Sequence, residues 1–142
     1  MTLAALEAVL RLHLNPETLR DTHTGLGLLT RAYEDIRAAD ERLLPPLAGS
    51  LAGEALVTLS DCHTQIGSGS LPVDRLPSVA LVISPAPSGR GSGGRLKALE
   101  KRLRALPNPV IGRVQDGALW LDLRCLTDEA GFLSQLPSLH SC

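Results

Sequence analysis

The chain has 142 residues, of which 44% are hydrophobic and only 2% are aromatic. This length and composition fit one ordinary domain with an aliphatic core, and they exclude wholesale disorder. Its 14 basic and 15 acidic residues leave a net charge of −1, so the net charge does not indicate binding to nucleic acid or to a membrane surface.

The N-terminal third of the chain predicts helices. Leucines recur at helical spacing from Thr2 to about Leu14, and the charges among them argue against a signal peptide or a membrane span. Asn15-Pro16 ends this helix and starts a short second one. Thr24-Gly25 precedes a longer helix to about Leu44, where Pro45-Pro46 is expected to stop it and a short helical piece, Leu47 to Leu51, to follow.

Strands are predicted after Gly53. Ala55 to Leu59 and Val79 to Ile83 are rich in aliphatic and β-branched residues. Pro85 to Gly94 is predicted to be a surface loop rather than a domain linker, because too few elements lie on either side of it to fold independently.

The C-terminal third predicts a helix, a hairpin and a last helix. Leucines from Leu96 to Leu106 form the apolar stripe of the helix. The Asp116-Gly117 turn between Val110–Val114 and Ala118–Leu123 predicts the hairpin. Thr127-Asp128-Glu129 is expected to cap the last helix. This order indicates an α/β (α+β) two-layer sandwich with a mixed or antiparallel sheet covered by helices.

The cysteines argue against a disulfide framework and a zinc knuckle. There are three of them, Cys62, Cys125 and Cys142, an odd number with no short spacing. Cysteines of this kind are typical of a protein in the reducing cytoplasm. Cys125 is predicted to be a small buried residue in an apolar strand. The histidines also lack ligand spacing, and no metal site is proposed.

The segment Gln65–Ser78 (QIGSGSLPVDRLPS) is the most distinctive in the chain. Gly67, Ser68, Gly69 and Ser70 could hold an anion on backbone N–H groups. A P-loop, however, needs a lysine after its last glycine, and Leu71-Pro72 follow here. A tight, rigid turn is the favoured interpretation, with Asp74 and Arg75 either contacting a cleft or partner subunit or forming a solvated ion pair.

Three further sets of residues could carry chemistry. Asp61-Cys62-His63 is similar to a fragment of a Cys-His nucleophile site, but strand neighbours point to opposite faces, so an incidental cluster is favoured. The only lysines, Lys97 and Lys101, lie on the solvent-exposed face of one predicted helix. A lysine that forms a Schiff base needs a pocket that desolvates its amine, so neither is suited to that role. A basic run is either a solvated helix face or a set of RNA contacts. Its members are Arg90, Arg95, Lys97, Lys101, Arg102 and Arg104.

Several segments together resemble the C-terminal part of bacterial L-seryl-tRNA(Sec) selenium transferases, the selenocysteine synthases. They are Met1–Ala8, Leu28–Arg31, Gln65–Ser78, Pro109–Arg113 and Asp116–Leu126. The resemblance covers nearly the whole chain. It implies the small C-terminal domain of a fold-type-I pyridoxal-phosphate enzyme, as a single domain with a helical part, 1–52, and an α/β part, 53–142.

The resemblance also implies a reaction for the full-length enzyme. It would convert seryl-tRNA(Sec) to selenocysteinyl-tRNA(Sec) with selenophosphate as donor and pyridoxal phosphate as electron sink. The implied partners are the selenocysteine tRNA and sister subunits of a cytoplasmic homo-oligomer, with no membrane or DNA partner.

This chain is far shorter than such an enzyme. The cofactor lysine, the cofactor domain and the N-terminal tRNA-binding domain are expected to lie outside it. No catalytic or cofactor-binding residue is assigned here, and the chain alone is expected to be inactive. The alternative is a stand-alone RNA-binding or interaction module. An independent small enzyme built on the glycine-serine loop is disfavoured, because no base, nucleophile or metal set accompanies that loop.

Overall fold

A computed structural model describes residues 3–64, 75–86 and 89–140. The chain forms two compact units, Met1–Ala32 and Tyr33–Cys142. The first unit contains helices α1 (Leu3–Leu12), α2 (Pro16–Thr22) and α3 (Thr24–Leu29). Pro16 occupies the start of α2, as predicted, where its missing N–H costs no hydrogen bond.

The prediction of one long helix after Thr24-Gly25, running to about Leu44, is wrong. Helix α3 ends at Leu29, and a separate helix, α4, runs from Tyr33 to Ser50. Thr30 caps α3: its backbone N–H and its hydroxyl both donate to the carbonyl of Leu26, at 2.9 and 2.8 Å. A hydroxyl that bonds to its own helix in this way competes with continued helical pairing.

The prediction that Pro45-Pro46 stops the helix is also wrong, because α4 continues through both prolines. Each interior proline costs about 3 kcal/mol through its missing N–H and its ring clash. Leu43, Leu47 and Leu51 are fully buried, and each such leucine contributes about 1.5–3 kcal/mol. The burial on both sides of the prolines offsets their local cost.

Four described strands of the second unit form one antiparallel sheet in the order β1-β2-β4-β3. The first two strands are longer than predicted: β1 is Ala55–Thr64 and β2 is Leu76–Pro85. They pair without interruption from Ala55 opposite Pro85 to Thr64 opposite Leu76. The two strands therefore remain in register up to the segment that joins them.

The predicted hairpin is confirmed as β3 (Arg113–Gln115) and β4 (Ala118–Asp122). Both turn residues have positive φ, 51° at Asp116 and 74° at Gly117. This is the requirement of a two-residue type I′ turn, which Asp-Gly satisfies well.

One face of the sheet carries the core, which α4 and α5 (Ser92–Arg104) cover. Side chains of the sheet and of both helices meet in it, including Ile36, Leu81, Leu103 and Leu119, all fully buried. The α+β two-layer sandwich with an antiparallel sheet is thus confirmed. No described helix is long and apolar enough to cross a membrane.

The chain after β4 continues as a 3₁₀ helix (Leu123–Cys125), helix α6 (Glu129–Gln135) and a second 3₁₀ helix (Leu136–His140). Asp128 caps α6 as predicted, accepting from the N–H of Gly131 at 2.8 Å. The prediction of a buried Cys125 is wrong. The strand ends at Asp122, whose side chain caps the 3₁₀ helix, and the turn leaves Cys125 exposed.

Candidate functional site

The predicted contact residues Gly67, Ser68, Gly69, Ser70 and Asp74 lie outside the described residues. Arg75 is described, and it is exposed immediately before β2. Their assignment to a cleft or subunit contact therefore stays a prediction. The described strand ends on either side of this segment form a polar cluster.

We call this cluster the strand-end cluster: Thr64, Ser78, Asp122 and Arg124. The carboxylate of Asp122 accepts hydrogen bonds from the hydroxyl of Thr64 and, at 2.7 Å, from that of Ser78. It also accepts from the backbone N–H of Arg124 at 3.0 Å. The buried Arg124 guanidinium donates to the carbonyl of Pro77 at 2.5 Å. One carboxylate thereby joins the end of β1, the start of β2 and the end of β4.

Cys62 lies beside this cluster, opposite Ser78 in the β1–β2 ladder. Burial, reinforced by the negative charge of Asp122, raises the pKa of the Cys62 thiol to about 11. Asp61 and His63 are exposed while Cys62 is buried, as strand alternation requires. A thiol that stays protonated near neutral pH is a poor nucleophile, which agrees with the interpretation of Asp61-Cys62-His63 as incidental.

Asp61 instead belongs to a network with helix α4. The Tyr33 hydroxyl donates to Asp61 at 2.6 Å, and the Arg37 guanidinium donates to Tyr33 Oη at 3.3 Å and to Glu41 at 3.1 Å. Hydrogen bonds to Tyr33 and then to Glu41 raise the pKa of Arg37. These groups fasten the start of α4 to β1 at the surface.

The basic run forms part of α5 and the turn before it. Lys97 and Lys101 are exposed one helical turn apart, and Arg90 is exposed in the turn. Arg102 is engaged with Glu54 at 2.6 Å, and Arg104 with Glu100 at 2.6 Å. Arg95 is half-buried beside Glu54 and Arg102. The structure thus separates the exposed Lys97, Lys101 and Arg90 from the half-buried Arg95 and Arg102, while Arg104 is exposed but paired, and RNA contact stays a prediction for all six.

A groove of about 340 Å³ lies between the segment after α5 and helix α6. The buried Gln135 forms its polar wall by pairing with the backbone of Asn108, and the exposed Cys125 lies at its rim. Across the described residues, no group of three or more His, Cys, Asp or Glu side chains is placed to hold a metal ion.

The sequence is similar to known proteins along almost its entire length. The family model described as L-seryl-tRNA selenium transferase matches residues 1–127. The chain belongs to this family. It is 60% identical to the L-seryl-tRNA(Sec) selenium transferase of Klebsiella pneumoniae (strain 342) over 136 residues, 96% of this chain. The proteins of that name from Escherichia fergusonii and Escherichia coli O139:H28 are each 57% identical over the same share.

The chain spans about 29% of the length of these curated selenium transferases. It corresponds to a C-terminal fragment of the family. The resemblance identified from the sequence motifs is therefore confirmed at the level of the family.

Sequence reasoning missed the strand-end cluster. Asp122 follows Thr64 by 58 positions and Ser78 by 44, so no local spacing connects them. The available signal was an acidic residue inside the apolar run Ala118–Leu123, where an ionised carboxylate needs hydrogen-bond partners if it is buried.

Proposed function

We propose that this chain is the C-terminal domain of a selenium transferase that converts seryl-tRNA(Sec) to selenocysteinyl-tRNA(Sec) with selenophosphate in the bacterial cytoplasm. The observation that carries the proposal is 60% identity to a protein named for this transfer, over 96% of the chain. Identity of this degree, spread over both units, supports a shared role as well as a shared fold.

The proposed role of the domain is structural: it closes over the active site and contributes to contacts between sister subunits of a homo-oligomer. Helix α1 supports this role. Leu3, Leu6 and Leu10 are between 46% and 85% exposed, although they share one side of an amphipathic helix. An exposed apolar stripe of this kind is typical of a surface that another protein segment covers.

Pyridoxal phosphate, the cofactor expected for the family, does not fit the lysines of this chain. A lysine that holds it as a Schiff base needs a pocket that desolvates the amine. Lys97 and Lys101 are the only lysines, and both are exposed on α5. The proposal therefore assigns cofactor binding to the part of the enzyme that this chain does not span, and it expects the isolated chain to be inactive.

A chimera tests the proposal. The C-terminal region of the Escherichia coli relative is replaced by this chain, and selenium incorporation into tRNA(Sec) is measured. The matched control is the same relative truncated without replacement. The proposal expects activity in the chimera and none in the control. A soluble, folded chimera that is no more active than the truncated protein would contradict it.

The alternative function, an RNA-binding module, is supported by the exposed pair Lys97 and Lys101. Replacing both lysines by glutamate should weaken tRNA binding. It should also reduce the slope of log K against log salt concentration, by an amount that corresponds to up to about two phosphate contacts. The matched control reverses Arg11 and Arg20, exposed arginines of the first unit. Equal binding by both variants and the unchanged chain, or no binding at any salt concentration, would reject this function.

A further inference from the structure

The strand-end cluster occupies a specific place in the sheet. Thr64 is the last residue of β1 and Ser78 is the third residue of β2. The segment between these strands is the one for which the sequence predicts a cleft or subunit contact. Asp122, at the end of β4, accepts a hydrogen bond from each. A single side chain from a third strand therefore joins both sides of the connection.

The link from Thr64 to Asp122 crosses an entire strand. In the sheet order, β2 lies between β1 and β4, so Thr64 and Asp122 are not ladder partners. Ser78, fully buried beneath this link, donates to the other oxygen of the same carboxylate. Hydrogen bonds to an ionised group are about twice as strong as those between neutral groups.

A second contact, from Arg124, also holds the start of β2. The side chain of Arg124 is buried and donates to the carbonyl of Pro77, while its backbone N–H donates to Asp122. Backbone ladders are weakest at their ends, where opening requires little free energy. These contacts concentrate extra side-chain bonding where the ladder alone is least able to hold its register.

We propose that Asp122 is a positioning residue that holds together the two strand ends flanking the segment from Gln65 to Arg75. The inference rests on the proposed function, in which this domain closes over the active site and contributes to contacts between subunits. Asp122 itself acts only through Thr64, Ser78 and the capped Arg124 N–H. Its loss would free the end of β1 and the start of β2 while the centre of the sheet and its core face stay packed.

Hydrogen exchange on the 142-residue chain tests the inference. Asp122→Asn should accelerate exchange of the backbone amides of residues 61–64 and of Leu76, Ser78 and Val79 by about tenfold, because a charge-assisted bond at a fraying end is lost. Asp116→Asn is the matched control, the same change on the same hairpin but in the exposed turn. Equal exchange in the two variants, or acceleration spread evenly over the sheet and α5, would overturn the inference.

Partner substitutions keep the inference testable if Asp122→Asn does not fold. Thr64→Val and Ser78→Ala each remove one donor and leave the carboxylate in place. Each should accelerate exchange at its own strand end and, through the shared carboxylate, at the other. Acceleration confined to the substituted strand would overturn the inference.

The thiol of Cys62 supplies a second, spectroscopic readout, because burial and the charge of Asp122 together raise its pKa. In a background with Cys125 and Cys142 changed to serine, thiolate absorbance should appear at lower pH in Asp122→Asn than in the parent chain, whose Cys62 pKa is about 11. An unchanged titration would overturn the inference. Because exchange and titration need neither tRNA nor enzyme activity, their failure is distinguishable from an inactive chimera, which would reject the proposed function alone.

Discussion

The side-chain amide of Gln135 pairs with the backbone of Asn108 through two hydrogen bonds. Its Nε2 donates to the Asn108 carbonyl at 3.0 Å, and the Asn108 N–H donates to its Oε1 at 3.0 Å. Gln135 is only 6% exposed. One glutamine therefore satisfies both polar groups of a backbone unit in the segment that follows α5, and connects that segment to α6.

Replacing Gln135 by alanine should lower the free energy of unfolding by about 1–3 kcal/mol, because partly buried backbone groups lose their partners. Urea denaturation measures the change. Gln115→Ala is the control, because Gln115 is exposed and its side chain bonds to the neighbouring Asp116. Similar losses for the two variants would show that the pairing with Asn108 contributes nothing specific.

Two glycine-to-alanine changes in helices should have opposite effects. A Cβ at Gly131 would lie 2.1 Å from Oδ2 of Asp128 and displace the cap of α6, whereas a Cβ at Gly94 in α5 would meet nothing within 4 Å. Gly131→Ala should destabilise by about 1 kcal/mol or more. Gly94→Ala should stabilise by about 0.5–1 kcal/mol. Thermal unfolding checks both, and a stabilised Gly131→Ala would contradict the cap geometry.

The two described cysteines should react at different rates. In a Cys142→Ser background, a disulfide reagent at about pH 8 should modify the exposed Cys125 quickly and leave Cys62 protected until the protein opens. The pKa of Cys62 is raised from 9.0 to about 11 by burial and then by Asp122. Rapid modification of both thiols in the folded protein would contradict the buried position of Cys62.

The same pKa shift predicts a dependence of stability on pH. Because the folded pKa lies above the unfolded value, the protonated thiol contributes stability that is complete below about pH 9 and is lost as pH rises towards about 11. Unfolding free energies of the chain and of Cys62→Ala should therefore converge in this range. A constant difference between them across it would refute the shift.

The ion pair between Arg102 and Glu54 should contribute more than the pair between Arg104 and Glu100. Both are 2.6 Å long, but the Arg102 side chain is 20% exposed and that of Arg104 is 58% exposed. Double-mutant cycles to alanine should give about 1 kcal/mol for the first pair and about 0.3–0.5 kcal/mol for the second. Equal coupling energies would mean that burial of Arg102 does not strengthen its pair.

The elements that sequence predicted correctly depend on neighbouring residues. The Asp116-Gly117 turn, the Asp128 cap and the Pro16 helix start each follow from the conformations that these residues favour within a few positions. The leucine stripe of α5 likewise follows from helical spacing, and Leu96, Leu99 and Leu103 are buried as expected. The motifs that indicated the family are contiguous segments as well.

Tertiary structure decided the features that depend on distant residues. Local preference favours a helix end at Pro45-Pro46, and only the burial of Leu43, Leu47 and Leu51 in a core built by later strands overrides it. The strand-end cluster exists because β4 lies next to β2, which brings Asp122 to hydroxyls 44 and 58 positions earlier in the chain. Turns, caps, helix faces and family membership thus follow from contiguous residues. The order of the strands determined which polar groups meet, because that order depends on the total burial of the sheet and not on any single segment.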